Sequence, residues 1–142
     1  MKTMTMKLGR AIKQLQYQNQ RRLESGLRDI DTTLAQWDAL RAIKNNPGAS
    51  AHALAEETFQ TDQSFGTLAN RLLAKECITR QQGVGRALFY ELTETGQSVL
   101  KDSVSVANQA IEDSLKNLNA EERQQLLSLI EKALADNKFK KA

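Results

Sequence analysis

One short segment, residues 78–92, breaks an otherwise helical pattern and so limits the folds available to the whole chain. Residues 78–81 predict a short strand, and residues 87–92, which contain several β-formers, predict a second one. Gly83-Val84-Gly85 lies between them, and two strands joined through glycines are typical of a hairpin. Since no other segment is strand-like, the sequence predicts a mainly α protein with one small β-hairpin.

The chain before the hairpin begins with two helices. Apolar residues recur at helical spacing over residues 7–28, although Gly26 and the stretch after it weaken the pattern. Thr33 and Gln36 form a capping-box pattern, which predicts the start of the second helix. Residues 45–48, Asn-Asn-Pro-Gly, are the strongest helix breaker in the chain and predict its end.

Two shorter helices follow, with a turn between them. Ser50 is a cap for a helix at about 51–57, and Thr61 is a cap for the next one, at about 62–75. The apolar residues of this fourth helix recur at intervals of three and four, namely Phe65, Leu68 and Leu72. We therefore expect these three side chains to be buried and the opposite face of the helix to be exposed.

Two helices are predicted after the hairpin. Thr93 is a cap for a long helix with a near-heptad apolar stripe, a spacing that favours packing against another helix. The stripe consists of Leu100, Val104, Ala107, Ile111, Leu115 and Leu118. Asn119 with Glu122 is a second capping-box pattern, and it predicts the start of a last helix.

Composition excludes several classes of protein. The 142 residues include one cysteine, Cys77, and one histidine, His52, too few for a disulfide scaffold or for a zinc site within the chain. No phosphate loop, paired-carboxylate signal or nucleophile–base set is present, so we expect no enzyme and predict no catalytic residue, metal ligand or cofactor. Cys77 is expected to be a buried packing residue. No apolar run suits a membrane span or a signal peptide, which predicts a cytoplasmic protein.

The order of elements up to the hairpin is that of a winged helix-turn-helix, whose second motif helix enters the major groove of DNA. Polar side chains on the outward face of residues 62–75 are candidates for DNA contacts, and an arginine beside the hairpin tip is a candidate for the minor groove. The set is Gln63, Ser64, Thr67, Asn70, Arg71 and Arg86. An ordinary polar surface is the alternative, and a net charge of +3 does not decide between them.

Residues 54–96 resemble the MarR family of bacterial transcription regulators. The resemblance is carried, in order, by residues 54–55, 63–73, 78–80, Arg86 and 92–96, and residues 36–40 look like the family's second helix. Two positions depart from the family pattern. Val84 replaces the Asp of an Asp-x-Arg wing signature, in a wing that is also short, and Glu76 replaces a helix-ending Gly, so we expect a different exit from the fourth helix.

The resemblance implies a homodimer that binds a pseudo-palindromic operator in double-stranded DNA through two winged lobes. It implies a helical dimerisation region, residues 1–32 and 93–142, and a DNA-binding lobe, residues 33–92. By position, Arg86 becomes the minor-groove arginine, whereas Arg71 becomes a support for the wing or the phosphate backbone. The function implied is repression relieved by a small aromatic effector, whose binding residues stay unassigned. An adaptor, or an architectural DNA binder without operator specificity, is the alternative that the short wing leaves open.

Overall fold

The computed structural model describes residues 3–85 and 87–136. Within them the protein is mainly helical and carries one antiparallel hairpin, which confirms the predicted fold class. The elements are α1 (Met4–Asp29), α2 (Leu34–Asn45), α3 (Ala51–Glu57), α4 (Asp62–Ala74), β1 (Ile78–Gln82), β2 (Leu88–Leu92), α5 (Glu94–Ser114) and α6 (Ala120–Leu134).

Side-chain caps begin the helices where the sequence predicts them. A side-chain oxygen accepts a hydrogen bond from the backbone N–H three residues on at Thr33, Ser50, Thr61, Thr93 and Asn119. The reciprocal capping box is complete at Asn119 and Glu122, where the Glu122 carboxylate accepts from the Asn119 N–H at 2.9 Å. At Thr33 the box is only half made, because Oε1 of Gln36 accepts a hydrogen bond from Lys75 instead.

One apolar core lies between α2, α3, α4, the hairpin and the start of α5. Its largest side chains include Phe65, Leu40, Leu54 and Leu72, each at most 1% exposed, and each such burial stabilises the fold by about 1.5–3 kcal/mol. The ring of Phe65 packs at a tilt on that of Tyr90, with centroids 6.3 Å apart. The outward face of α4 is thereby fixed, because Phe65 and Leu72 hold its other face in the core.

The hairpin pairs β1 with β2 from Ile78 opposite Leu92 to Gln82 opposite Leu88. The Gly83 N–H donates to the carbonyl of Ala87 at 2.7 Å and closes the ladder at its tip. The sheet is therefore a short wing, as predicted, and an isolated bridge from Ser50 to Phe89 ties it to the start of α3.

The sequence suggested that α4 would end differently because Glu76 stands where the family has glycine. That expectation is wrong, because α4 ends as it would with glycine at this position. Glu76 adopts φ 60°, the left-handed conformation that glycine would favour. Its N–H donates to the carbonyl of Leu73, and the Cys77 N–H donates to that of Leu72, so that the Schellman motif is complete. Thr93 secures the turn, because its hydroxyl donates to the Glu76 carbonyl at 2.5 Å.

Gly26 does not weaken α1, which runs on to Asp29 and also starts earlier than predicted, at Met4. A Cβ atom at this position would lie 2.6 Å from Cγ1 of Val106 on α5. The glycine therefore serves close packing between the two longest helices. At Gly96 a Cβ would lie 2.0 Å from the Cys77 carbonyl oxygen, so α5 also begins at a position where only glycine fits.

The predicted stripe on α5 is only partly buried within the chain. Leu100 is 6% exposed, whereas Val104 and Ile111 are each 45% exposed. The helix ends at Ser114, so the last two residues of the stripe lie beyond it. Helix α6 has no buried residue at all. None of the helices in the described residues is long and apolar enough to cross a membrane.

Candidate nucleic-acid interface

The turn between α3 and α4 is built by local backbone bonds. The Thr58 hydroxyl donates to the carbonyl of Leu54 at 2.8 Å, which ends α3. Phe59 then takes φ 58°, and the Gln60 N–H donates to the Ala55 carbonyl at 2.8 Å. Thr61 caps the next helix at once. The tight turn and the shared core hold α3 and α4 in the arrangement of a helix-turn-helix.

All the α4 residues that the sequence proposed for DNA contacts are exposed. Four of them, Gln63, Ser64, Thr67 and Arg71, line one shallow groove of about 310 Å³ together with Ala35 at the start of α2. Side chains that share a groove on a helix surface can address neighbouring base edges. The fold thus brings these four together on one continuous face.

Asn70 lies apart from this groove, next to the wing. Its Oδ1 accepts a long hydrogen bond, 3.5 Å, from the guanidinium of Arg80 on β1. Arg80 also lies over the ring of Tyr90, 5.7 Å from its centroid. The Asn70 oxygen has a second lone pair and its amino group is a donor, so Asn70 can still pair with an adenine edge while Arg80 contacts it. Arg80 is an exposed cation beside the predicted site, and sequence reasoning did not assign it a contact.

The hydroxyl of Thr67 is already engaged within its own helix. It donates to the Gln63 carbonyl at 3.1 Å, which is the usual back-bond of a helical threonine. The hydroxyl proton is therefore occupied, while the methyl group remains available for an apolar contact such as that with a thymine methyl.

The wing tip is small and apolar at its end. Val84 is 99% exposed, and Gly85 takes φ 73°, which completes the turn. The Gln82 side chain donates to the Gly85 carbonyl at 3.4 Å. The predicted minor-groove residue, Arg86, lies outside the described residues, so its role stays a prediction from the sequence.

His52 joins α3 to the first turn of α4. Its Nδ1 lies 2.9 Å from the Asp62 carboxylate, and its Nε2 lies 3.1 Å from that of Glu56. The hydrogen bond that the ring donates to Asp62, then the charge of Asp62 and that of Glu56, raise the pKa of His52 above its ordinary value. The imidazole is exposed, and it pairs with the acidic residue that opens α4.

A larger cleft, of about 700 Å³, separates α2 from α5. Its lining includes three cations, Arg41, Lys44 and Lys101, against one carboxylate, Glu94. Trp37 forms part of the wall, and its indole N–H is a buried donor without a hydrogen-bond partner in the described part of the chain. Arg41 lies over the same indole, 5.0 Å from the ring centroid. The cleft thus offers an aromatic surface and positive charge.

The described residues give little support for a metal site or a reactive thiol. No group of three His, Cys, Asp or Glu side chains among them is arranged to hold a metal ion. Cys77 is 3% exposed, as expected for a packing residue, and burial raises the pKa of its thiol. A raised pKa lowers the thiolate fraction and hence the reactivity of the group.

A helix-turn-helix followed directly by a two-stranded wing defines the class: this is a winged helix-turn-helix protein. The MarR family model matches residues 30–87. The chain is 30% identical over 108 residues to the HTH-type transcriptional repressor NicR of Pseudomonas putida, an alignment that covers 75% of this chain and 68% of NicR. The chain belongs to the MarR family.

Two further comparisons agree. The transcriptional regulator HosA of Escherichia coli is 27% identical over 125 residues, which cover 87% of this chain and 91% of HosA. The crystal structure of the MarR family protein Rv2887 of Mycobacterium tuberculosis in complex with p-aminosalicylic acid superposes with a TM-score of 0.74 at 25% identity. That match covers 89% of this chain and 97% of the other.

Proposed function

We propose that the protein is a sequence-specific DNA-binding transcriptional regulator, a repressor that a small-molecule effector releases from its operator. The observation that carries this proposal is the outward face of α4. There Gln63, Ser64, Thr67 and Arg71 line one groove on a helix whose other face is held in the core. Family membership supports it, since NicR and HosA are named as a transcriptional repressor and a transcriptional regulator.

Each side chain has a role in this proposal that follows from its chemistry. Gln63 reads an adenine edge, and the Thr67 methyl touches a thymine methyl. Ser64 and Arg71 bind phosphates, as does Arg80 beside Asn70. Arg86 enters the minor groove from the wing. Because the net charge of the protein is only +3, specificity depends on these placed residues more than on the overall electrostatic field of the protein.

The functional unit in this proposal is a homodimer formed by α1, α5 and α6. Large apolar side chains of these helices are left exposed: Met4, Met6, Leu8, Ile12, Leu15, Val104, Ile111, Leu127, Leu129, Ile130 and Leu134. Helix α1 has 26 residues but buries only Leu27 within its own chain. Exposed apolar surface of this extent is typical of an interface, and a second copy would cover it. The division into residues 1–32 with 93–142 and residues 33–92 belongs to this proposal.

The α2–α5 cleft is the proposed effector site. Its cations suit a carboxylate, and the indole of Trp37 suits an aromatic ring. A small aromatic acid combines both features, and p-aminosalicylic acid bound to Rv2887 is a molecule of this kind. The effector would shift the population toward a spacing of the two lobes that no longer fits the operator.

DNA binding is tested by fluorescence anisotropy with duplexes from upstream of the protein's own gene and with random duplexes, at one salt concentration. We expect the upstream DNA to bind more tightly and Gln63→Ala to reduce that preference. Gln109→Ala, an exposed glutamine on α5, is the matched control. Equal affinity for both duplexes would favour an architectural binder, and no binding would favour an adaptor.

Effector binding is tested by calorimetry with salicylate as the probe. Arg41→Met should weaken binding, because it removes a cation from the cleft while keeping an apolar stem. Arg10→Met, an exposed residue on α1, should not. Salicylate binding that is equal in wild type and Arg41→Met would contradict the assignment of this cleft.

A further inference from the structure

Lys75, the residue that caps the end of α4, reaches back to the junction between α1 and α2. Its Nζ donates to the backbone carbonyl of Asp31 at 2.5 Å and to Oε1 of Gln36 at 2.9 Å. The Asp31 carboxylate lies farther away, at 3.8 Å, and is fully exposed. One ammonium group therefore joins three elements, since Lys75 caps α4, Asp31 follows α1 and Gln36 lies in the first turn of α2.

Both acceptors are well suited to a cation. Asp31 takes φ 55° just after α1. The Asp31 N–H donates to the carbonyl of Arg28, and the Thr32 N–H donates to that of Leu27. The Asp31 carbonyl is left for other partners at the negative end of the helix. Gln36 is only 6% exposed, and a buried amide oxygen without a partner would be costly. The ammonium satisfies both oxygens at once.

This contact bridges the two parts of the molecule that the proposed function distinguishes. Leu27 is the one residue of α1 that is fully buried, and that helix packs mainly on α5 and only slightly on α2. Gln36 also precedes Trp37, which lines the α2–α5 cleft. A shift of α2 at the cleft would therefore move an acceptor of the same ammonium group.

We propose that Lys75 is a positioning residue that sets the orientation of α4 relative to α1. The effect of Lys75 on DNA binding rests on the proposed function. A dimer fits two half-sites only if the two copies of α4 are held at a fixed separation. The apolar core, which extends to Leu100 at the start of α5, packs α4 within its lobe. The Lys75 contact holds that lobe against the dimerisation helix.

The test measures the distance from α1 to α4 within one chain. Spin labels are attached to Gln18→Cys and Thr67→Cys in a Cys77→Ala background, and labelled chains are diluted with unlabelled ones. Electron–electron double resonance should give one narrow distance distribution, which Lys75→Met broadens or displaces. Lys75→Arg, which keeps a cation with several donors, should restore the narrow distribution, and Lys116→Met, an exposed lysine between α5 and α6, should leave it unchanged.

Thermal unfolding is recorded for the same variants, because a purely structural role would lower Tm without altering the distance in the folded protein. If Lys75→Met fails to fold, Lys75→Gln, which keeps a neutral donor, takes its place. A distance distribution that matches wild type in a folded variant without the ammonium group overturns the proposal. If the wild type binds no DNA, the proposed function fails, whereas the distance measurement still decides the role of Lys75.

Discussion

The imidazole of His52 lies 2.9 Å from the carboxylate of Asp62 and so closes the turn between α3 and α4 with a side-chain contact. Glu56, one turn along α3, approaches the other ring nitrogen at 3.1 Å. Two carboxylates around one imidazole favour its charged form. In the proposed DNA complex the protonated ring would also offset the negative charge of Asp62, the first residue of α4.

His52 should titrate with a pKa above its ordinary value of 6.5, because the hydrogen bond to Asp62 and the charges of Asp62 and Glu56 stabilise the imidazolium. Since the folded pKa is the higher one, any stabilisation by this contact is fully present below pH 6.5 and is lost as the pH rises through the folded pKa. His52 is the single histidine, so its ring signals in a proton–carbon NMR titration report it directly.

Asp62→Asn should bring that midpoint back toward 6.5. Asp38→Asn, on α2, serves as the control and should leave it unchanged. An unshifted midpoint in wild type, or the same midpoint in wild type and Asp62→Asn, would show that the two side chains do not pair in solution.

Glu76→Gly should stabilise the protein by about 1 kcal/mol, because a non-glycine residue at positive φ pays a steric cost that glycine avoids. The hydrogen bond from Thr93 goes to the backbone carbonyl, so the substitution retains it. Chemical denaturation measures this change in stability. Glu57→Gly, at the end of α3, is the contrasting case, because helix propensity predicts a loss of stability there. A destabilised Glu76→Gly would mean that its side chain makes a compensating contact.

Gly26→Ala should destabilise the protein by about 1–3 kcal/mol, since the added methyl meets the stiff side chain of Val106. In a Val106→Ala background the same substitution should instead stabilise by up to about 1 kcal/mol, through helix propensity. A double-mutant cycle of unfolding free energies measures this change of sign. Simple additivity of the two substitutions would contradict the close α1–α5 contact.

Ile111→Asp should dissociate the proposed dimer, because it places a charge on the exposed apolar face of α5. Gln109→Glu introduces the same charge on the opposite side of the same helix and is the control. Sedimentation equilibrium should show monomers only for Ile111→Asp, with loss of tight DNA binding. A dimeric Ile111→Asp protein with normal DNA binding would remove Ile111 from the interface.

Local chemistry made much of the fold predictable from the sequence. A hydroxyl or amide cap needs only residues three positions apart, so Thr33, Ser50 and Thr61 marked their helix starts correctly. The apolar interval on α4 likewise gave its buried face and therefore its exposed one.

Features that depend on distant residues could not be read in the same way. Gly26 looked like a helix breaker because its partner, Val106, is eighty residues further on. Gln36 looked like a capping residue because Lys75 becomes its neighbour only in the folded chain. Arg80 was missed as a candidate for the same reason, since Asn70 approaches it only once the wing has folded against α4.

A hydroxyl-radical footprint on the DNA upstream of the protein's own gene shows whether the chain binds an operator there. We expect two protected half-sites related by a two-fold axis, about 10–10.5 base pairs apart, with protection lost in Gln63→Ala and weakened as salt increases. Cleavage that is the same with and without the protein would contradict the claim that this chain is an operator-binding repressor.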